Sequence, residues 1–246
     1  GIVKTLRIPD TVKSIGELAF ANNSLTAVTI PESVTDLGFG AFQHNSIKTA
    51  NIPKSINFIP DQLFSDNALT DIQIPDTVTS IGRYAFDNND LTNIELPKAL
   101  TDVGAYAFSG NKLTTVTLPN SIITVGGGAF SGNALTSVTL SSSVKSIGYY
   151  AFEGNDLTTI QIPDSVTDVG DNAFANNKLK TVKISNSLRS IAIGTFANNN
   201  ITSVTIPDSV TNIGDSAFDG NNLSQVTIPD SVTQLGDKAF EFNALK

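Results

Sequence analysis

The sequence predicts an α/β repeat solenoid of about eleven rungs, each of 22 residues with one short strand in a parallel stack and a one-turn helix. Three observations carry this prediction. Phe20, Phe42, Phe64, Phe86, Phe108, Phe130, Phe152, Phe174, Phe196, Phe218 and Phe240 recur every 22 residues without a slip. An asparagine follows each of them three positions later, from Asn23 to Asn243. Between successive phenylalanines runs an L-x-x-L-x-L pattern such as Leu113, Val116 and Leu118. A unit this short cannot bury its own apolar face, so it must stack on its neighbours. No linker or shift of composition interrupts the repeat, which makes residues 1–246 one domain. The chain opens on Gly1, Ile2 and Val3 and closes on Ala244, Leu245 and Lys246 within a repeat, so it is expected to be a piece cut mid-repeat from a longer protein.

Each segment of the rung follows from its residues. Leu25/Val28/Ile30, Leu91/Ile94/Leu96 and Leu157/Ile160/Ile162 alternate with Thr, Ser, Asn, Gln, Asp or Glu, the signature of a strand with one face inward. Successive copies run the same way, so the strands must be parallel, and at about 4.8 Å per rung the stack is roughly 50 Å long. Pro31, Pro53, Pro75, Pro97, Pro119, Pro163, Pro207 and Pro229 end the strand, because proline brings no N–H to a ladder. Val34/Leu37, Val78/Ile81 and Val166/Val169 then belong to the opposite wall, in a short extended or tightly turned piece. Gly82, Gly104, Gly126, Gly148 and Gly170 precede an x-x-Ala-Phe segment long enough for about one turn of helix. Two residues after the phenylalanine stand His44, Asp66, Asn88, Gly110, Gly132, Gly154, Asn176, Asn198 or Gly220, nearly all types that tolerate positive φ. The asparagine that follows is expected to form a buried ladder, its amide serving backbone groups of the bend.

Two rungs depart from this pattern. Rung three carries Ala50 in the strand, Pro60 in the glycine column and Leu63 in place of alanine; rung nine carries Ala192 and Thr195. Both are read as packing drift, with Leu63 making up the volume lost at Ala50.

Composition narrows the function. Net charge is −8 and the pI is near 4.5, so the cationic surface needed for nucleic acid or anionic membrane is missing. No apolar run is long enough to cross a bilayer, and no membrane insertion is expected. Cysteine, methionine and tryptophan are absent, which removes disulfides, thiolate chemistry and cysteine metal sites. His44 is the only histidine, and no Ser-His-Asp, Cys-His or histidine-rich metal set can be assembled. No catalytic residue, cofactor or metal is assigned.

The pattern L-T-x-V-T-I-P-D-S-V-T-x-I-G-x-x-A-F is closely matched in Leu157 to Phe174 and Leu223 to Phe240. It resembles the BspA-like, or Treponema pallidum-type, leucine-rich repeat, and the resemblance spans the whole chain. Members more often carry cysteine where this chain has asparagine before the leucine, in a unit one residue longer. The general leucine-rich repeat places its asparagine after the L-x-L segment, where this chain has proline, so curvature does not carry over. The resemblance implies a secreted or cell-surface protein, commonly of bacteria or parasitic protists, used in adhesion to host proteins, matrix or other cells. It supplies no ligand-contacting residues, because the motif consists of core positions.

Two surfaces are candidates for binding a host or cell-surface protein or glycan. The first is the outward strand face, with Asp71, Gln73, Asn93, Glu95, Thr115, Thr117, Ser137, Thr139, Thr159 and Gln161. It lacks the aromatic and arginine anchors of tight interfaces, and threonine also simply suits a solvated strand. Charged and amide residues interrupt the threonine columns, which disfavours ice binding. Asp71 and Glu95 would lie roughly 8 Å apart by strand spacings, but an open sheet face offers no cleft to raise one pKa. The second surface is a glycine notch among tyrosines, formed by Tyr84, Tyr106, Gly127, Gly128, Tyr149 and Tyr150, sized for a sugar ring or an aliphatic side chain; the same tyrosines would also serve as partial core cover. Asp208 and Asp230, adjacent after their prolines, could share a hard cation or cap their own turns. Two further expectations remain open: a rigid spacer without a ligand, and self-association through uncapped ends with apolar edges at Val3, Leu6 and Ile8.

Overall fold

The computed structural model describes residues 6–246 and shows a stack of coils in which residue i lies beside residue i+22 throughout. Of the expected self-association edge, Val3 lies outside the described residues, Leu6 is half-buried and Ile8 is buried.

Phenylalanine rings form one column through the core. From Phe20 to Phe240 neighbouring rings are offset-stacked, with centroids 5.3–6.1 Å apart and planes within 4–21° of parallel. The rings from Phe42 to Phe218 are fully buried. The asparagines form a second column beside them. In Asn89 the Nδ2 amide donates to the carbonyls of Phe86 (3.2 Å), Asp87 (3.1 Å) and, in the preceding rung, Phe64 (2.9 Å), while Oδ1 accepts from the Leu69 N–H at 2.9 Å. The same four contacts recur at Asn111, Asn155 and Asn199, so one carboxamide satisfies backbone groups of two successive bends.

The one-turn helix expected before each phenylalanine is absent; two successive turns replace it. Each turn contains a left-handed residue: two before the phenylalanine, as at Leu18, Gln62 and Tyr84, and two after it, as at Asn22, His44 and Asp66. This alternation points every second N–H along the stack. Tyr84, Phe86 and Asn88 donate to the carbonyls of Ala105, Ala107 and Ser109 in the next rung at 2.9–3.0 Å. A helix would have turned these donors onto its own segment. Stacking offers each of them a partner in the adjacent coil.

The expectation of one strand per rung is also corrected. Extended backbone occurs on two walls. The wall opposite the L-x-x-L-x-L segment carries a two-residue strand in every rung from Ser14–Ile15 to Gln234–Leu235, arranged as sheets of two, six and three parallel strands. The L-x-x-L-x-L wall pairs fully at only two steps, Thr115–Thr117 with Ser137–Thr139 and Thr159–Gln161 with Thr181–Lys183, besides a bridge between Ala27 and Thr49.

The opposite wall is tight because its glycines allow close approach. A Cβ on Gly104 or Gly126 would collide with the backbone of the preceding rung. Their N–H groups donate back to the Ile81 and Val103 carbonyls at 2.8 and 3.2 Å. The sheet breaks between Asp36–Leu37 and Phe58–Ile59, and again between Asp168–Val169 and Ser190–Ile191. Those are the rungs in which Pro60 and Ala192 replace the glycine. Proline has no N–H to donate, and alanine carries the Cβ that the close contact excludes.

Candidate functional site

All ten predicted strand-face residues are exposed, and they lie on the L-x-x-L-x-L wall. Every rung of this wall is tied to its neighbour at the asparagine end, for example Asp90 N–H to Leu69 C=O and Lys112 N–H to Leu91 C=O, both 2.9 Å. Beyond that point the ladder is open at most steps, among them the one between Asn93–Glu95 and Thr115–Thr117. A shallow groove of about 700 Å³ lies there, lined by Asn93, Glu95, Thr115 and Thr117 and rimmed by Lys98 and Asn120. The structure thus brings four of the predicted residues into one depression and leaves Ser137, Thr139, Thr159 and Gln161 on paired strands beside it.

In rung three the wall closes by a device that sequence reasoning missed. Asn51 accepts from the Ile30 N–H with Oδ1 at 2.7 Å and donates to the Ile30 carbonyl with Nδ2 at 2.8 Å. Its carboxamide imitates a strand. The column around it is otherwise solvent-facing, so nothing in the sequence marks this residue.

The glycine notch is closed. A Cβ on Gly128 would fall within the Tyr106 ring, and one on Gly127 would meet the Tyr149 ring, and both glycines are buried. The tyrosines form a continuous ledge instead. Tyr84 and Tyr106 are stacked with centroids 5.1 Å apart and planes 6° from parallel. Tyr106 meets Tyr149 edge-on at 6.3 Å and 63°, and Tyr149 meets Tyr150 at 5.8 Å and 89°. Tyr149 is 48% exposed, and Tyr84 and Tyr150 are each 37% exposed. Burial pushes the Tyr106 hydroxyl pKa above its ordinary value, with Tyr149, Tyr84, Tyr150 and Glu153 adding to the effect, so the phenol stays neutral. Tyr84, Tyr106 and Tyr150 all have φ of 55–57°, a left-handed conformation that costs a residue with a Cβ roughly 1–2 kcal/mol. Gly40, Gly128 and Gly194 meet the same requirement without that cost.

Carboxylates after the prolines do not cap their own turns; where they bond, they reach the next rung. Glu32 accepts from the Lys54 N–H at 3.0 Å and Asp164 from the Asn186 N–H at 2.9 Å. The Asn186 backbone N–H, with the Asn186 side-chain amide adding to it, holds the Asp164 pKa below the usual carboxylate range. Among the described residues no group of three or more His, Cys, Asp and Glu side chains could hold a metal ion. A polar cluster does form at the turn corner of rungs two to four. There His44 Nδ1 lies 3.3 Å from Asp66, and the Asn88 amide donates to Asp66 and Asp87 at 3.0 and 3.2 Å. Asp87 is buried with one oxygen unpartnered, and desolvation raises its pKa to about 6.

Short coils stacked in register around aliphatic, phenylalanine and asparagine columns define a leucine-rich-repeat solenoid. The chain belongs to the BspA-type leucine-rich repeat region family, whose model, in copies of several repeats, matches residues 2–112, 57–180 and 123–246. No curated protein resembles it in sequence strongly enough to count as a relative. Solved structures share the fold at low identity. A leucine-rich repeat protein from Bacteroides ovatus is 24% identical with a TM-score of 0.57, over 94% of this chain and 80% of that one. The pneumococcal vaccine antigen PcpA is 22% identical with a TM-score of 0.66, over 96% and 72%. A leucine-rich cell surface protein from Faecalibacterium prausnitzii is 22% identical with a TM-score of 0.52, over 96% and 82%.

Proposed function

We propose that this solenoid is a non-catalytic binding module, secreted or displayed at a cell surface, that adheres to a host or cell-surface protein or glycan through its L-x-x-L-x-L wall. The observation that carries the reading is the opened ladder at Asn93–Glu95 and Thr115–Thr117, where side-chain and unpaired strand groups line one groove. Groups left without ladder partners can hydrogen-bond a polar ligand. The family and two proteins of similar structure, a cell surface protein and a vaccine antigen, support the location. The net charge of −8 argues against nucleic acid and anionic membrane as partners.

Biolayer interferometry of the immobilised chain against purified matrix proteins and neutral and acidic glycans tests this reading. Saturable binding lost by tenfold or more in Glu95→Lys or Thr117→Arg supports the groove, whereas binding that survives both substitutions removes it.

A second reading, a rigid spacer with no ligand of its own, is favoured by the unbroken phenylalanine column from Phe20 to Phe240. It predicts a surface inert to the entire panel. The apolar hollow at the first described rung, about 340 Å³ and lined by Leu6, Ile8, Val12, Ile15 and Phe20, is where a second copy would stack. Sedimentation that shifts with concentration would reveal pairing of copies there.

A further inference from the structure

We infer that the tyrosine ledge on rungs four to seven is a second, separate binding site, which takes the apolar face of a neutral pyranose in an oligosaccharide. The inference deepens the binding-module reading and rests on it for function, but its site and ligand are its own. All four tyrosines of the chain, Tyr84, Tyr106, Tyr149 and Tyr150, stand on this one ledge, while every aromatic residue in the core is phenylalanine. Three of the four adopt the left-handed conformation that neighbouring rungs give to glycine or asparagine, at Gly40, Asn172 and Gly194. Leu18, Gln62, Ser216 and Lys238 share that conformation, so the strain alone decides nothing. Strain together with the gathering of every tyrosine into one exposed cluster indicates a retained purpose.

The ligand class follows from shape and charge. The gap over Gly127 and Gly128 is filled by ring atoms, which leaves no slot for a proline or an aliphatic side chain. What remains is a low surface of ring faces and edges carrying phenolic hydroxyls. Aromatic faces stack on the C–H face of a sugar ring, and hydroxyls beside them can bond its rim. Glu153 lies near Tyr106, and the whole chain carries a charge of −8, so sulfated or sialylated chains would be repelled.

The chain supplies its own reporter. It has no tryptophan, so tyrosine emission arises from this ledge alone. The intact chain is titrated with cellohexaose, xylohexaose and mannohexaose as neutral probes and with a heparin hexasaccharide as the anionic one. The expected result is a saturable change of tyrosine emission with at least one neutral probe and none with heparin. Calorimetry with the same sugar should then show at least a tenfold loss of affinity in a Tyr149→Ala/Tyr150→Asn variant, and separately in Tyr84→Gly, a replacement the backbone there accepts. Unchanged emission with all three neutral sugars to millimolar concentration, or full affinity in both variants, overturns the site. If the ledge fails while Glu95→Lys abolishes capture of a matrix protein or glycan, the binding-module reading survives without it. If the ledge binds sugar while the groove is inert, the ledge stands and the groove falls.

Discussion

The two extended walls of this solenoid are built from the same rungs and behave differently. The glycine wall has a strand in every rung and breaks only where Pro60 and Ala192 replace glycine. The L-x-x-L-x-L wall has more residues available for pairing in each rung, yet it pairs fully at two steps. Strand propensity does not explain this, since threonine and valine on the looser wall are better strand formers than glycine. Proximity does. Register is set at the corner by the asparagine and phenylalanine columns, and the wall whose glycines admit the neighbouring backbone closes up. The looser wall is left free to open, and the groove lined by Asn93, Glu95, Thr115 and Thr117 lies there.

The comparison can be broken most severely at the corner. Phe130→Ala removes a fully buried ring from the middle of the column and should cost about 3–5 kcal/mol, read from urea unfolding. A loss below 1 kcal/mol would mean that the column does not hold the two walls together. Asn155→Ala strips partners from backbone groups of two bends and should cost about 1–3 kcal/mol, with faster amide exchange at Leu135.

Asp87 tests the same corner through pH. Its native pKa of about 6 lies above the unfolded value of 3.8, so the folded state binds the proton more tightly. Its contribution to stability is therefore greatest below pH 4, declines between pH 4 and 6, and above that leaves the full burden of a buried charge. Asp87→Ser, the residue found at Ser65 and Ser109 in the neighbouring rungs, should flatten that decline and raise the melting temperature at pH 7. An unchanged pH profile would remove Asp87 from the account.

Ala192→Gly should restore a hydrogen bond to the Val169 carbonyl. A gain of about 1 kcal/mol from that bond is offset by the flexibility of glycine, about 0.5–1 kcal/mol, so the readout is new protection of the residue 192 amide with little change in stability. Glu95→Lys on the looser wall should alter stability by about 0.5 kcal/mol or less, as a thermal melt would show, while binding is lost.

Much of this architecture was legible in the chain. Phe42 and Asn89 recur in every rung because each fills a buried column, and their roles follow from chemistry. The exposed strand face was legible because Thr115 and Thr117 alternate with buried Val116. The turns were not. Left-handed backbone is visible in sequence where glycine or asparagine occupies the position, but Leu18, Gln62 and Tyr84 hide it, and their spacing equally fits a helical turn. Ring direction is equally hidden: Gly127 and Gly128 suggest an empty space, yet Tyr106 and Tyr149 lean into it. The departures at Pro60 and Ala192 read as packing drift, because the close backbone approach they disturb becomes apparent only once the glycine wall is seen to pair.

In each coil the amide of the leading leucine is satisfied by a carboxamide 20 residues later, as Leu69 is by Asn89. Donor and acceptor therefore enter and leave together whenever a whole unit is duplicated or deleted, and no orphan is created. Recombination between copies can lengthen or shorten such a protein by complete coils while every junction stays chemically closed, whereas a shift by any fraction of a unit would strand both partners. The reach of such a stack can thus change by whole coils without redesign of this contact.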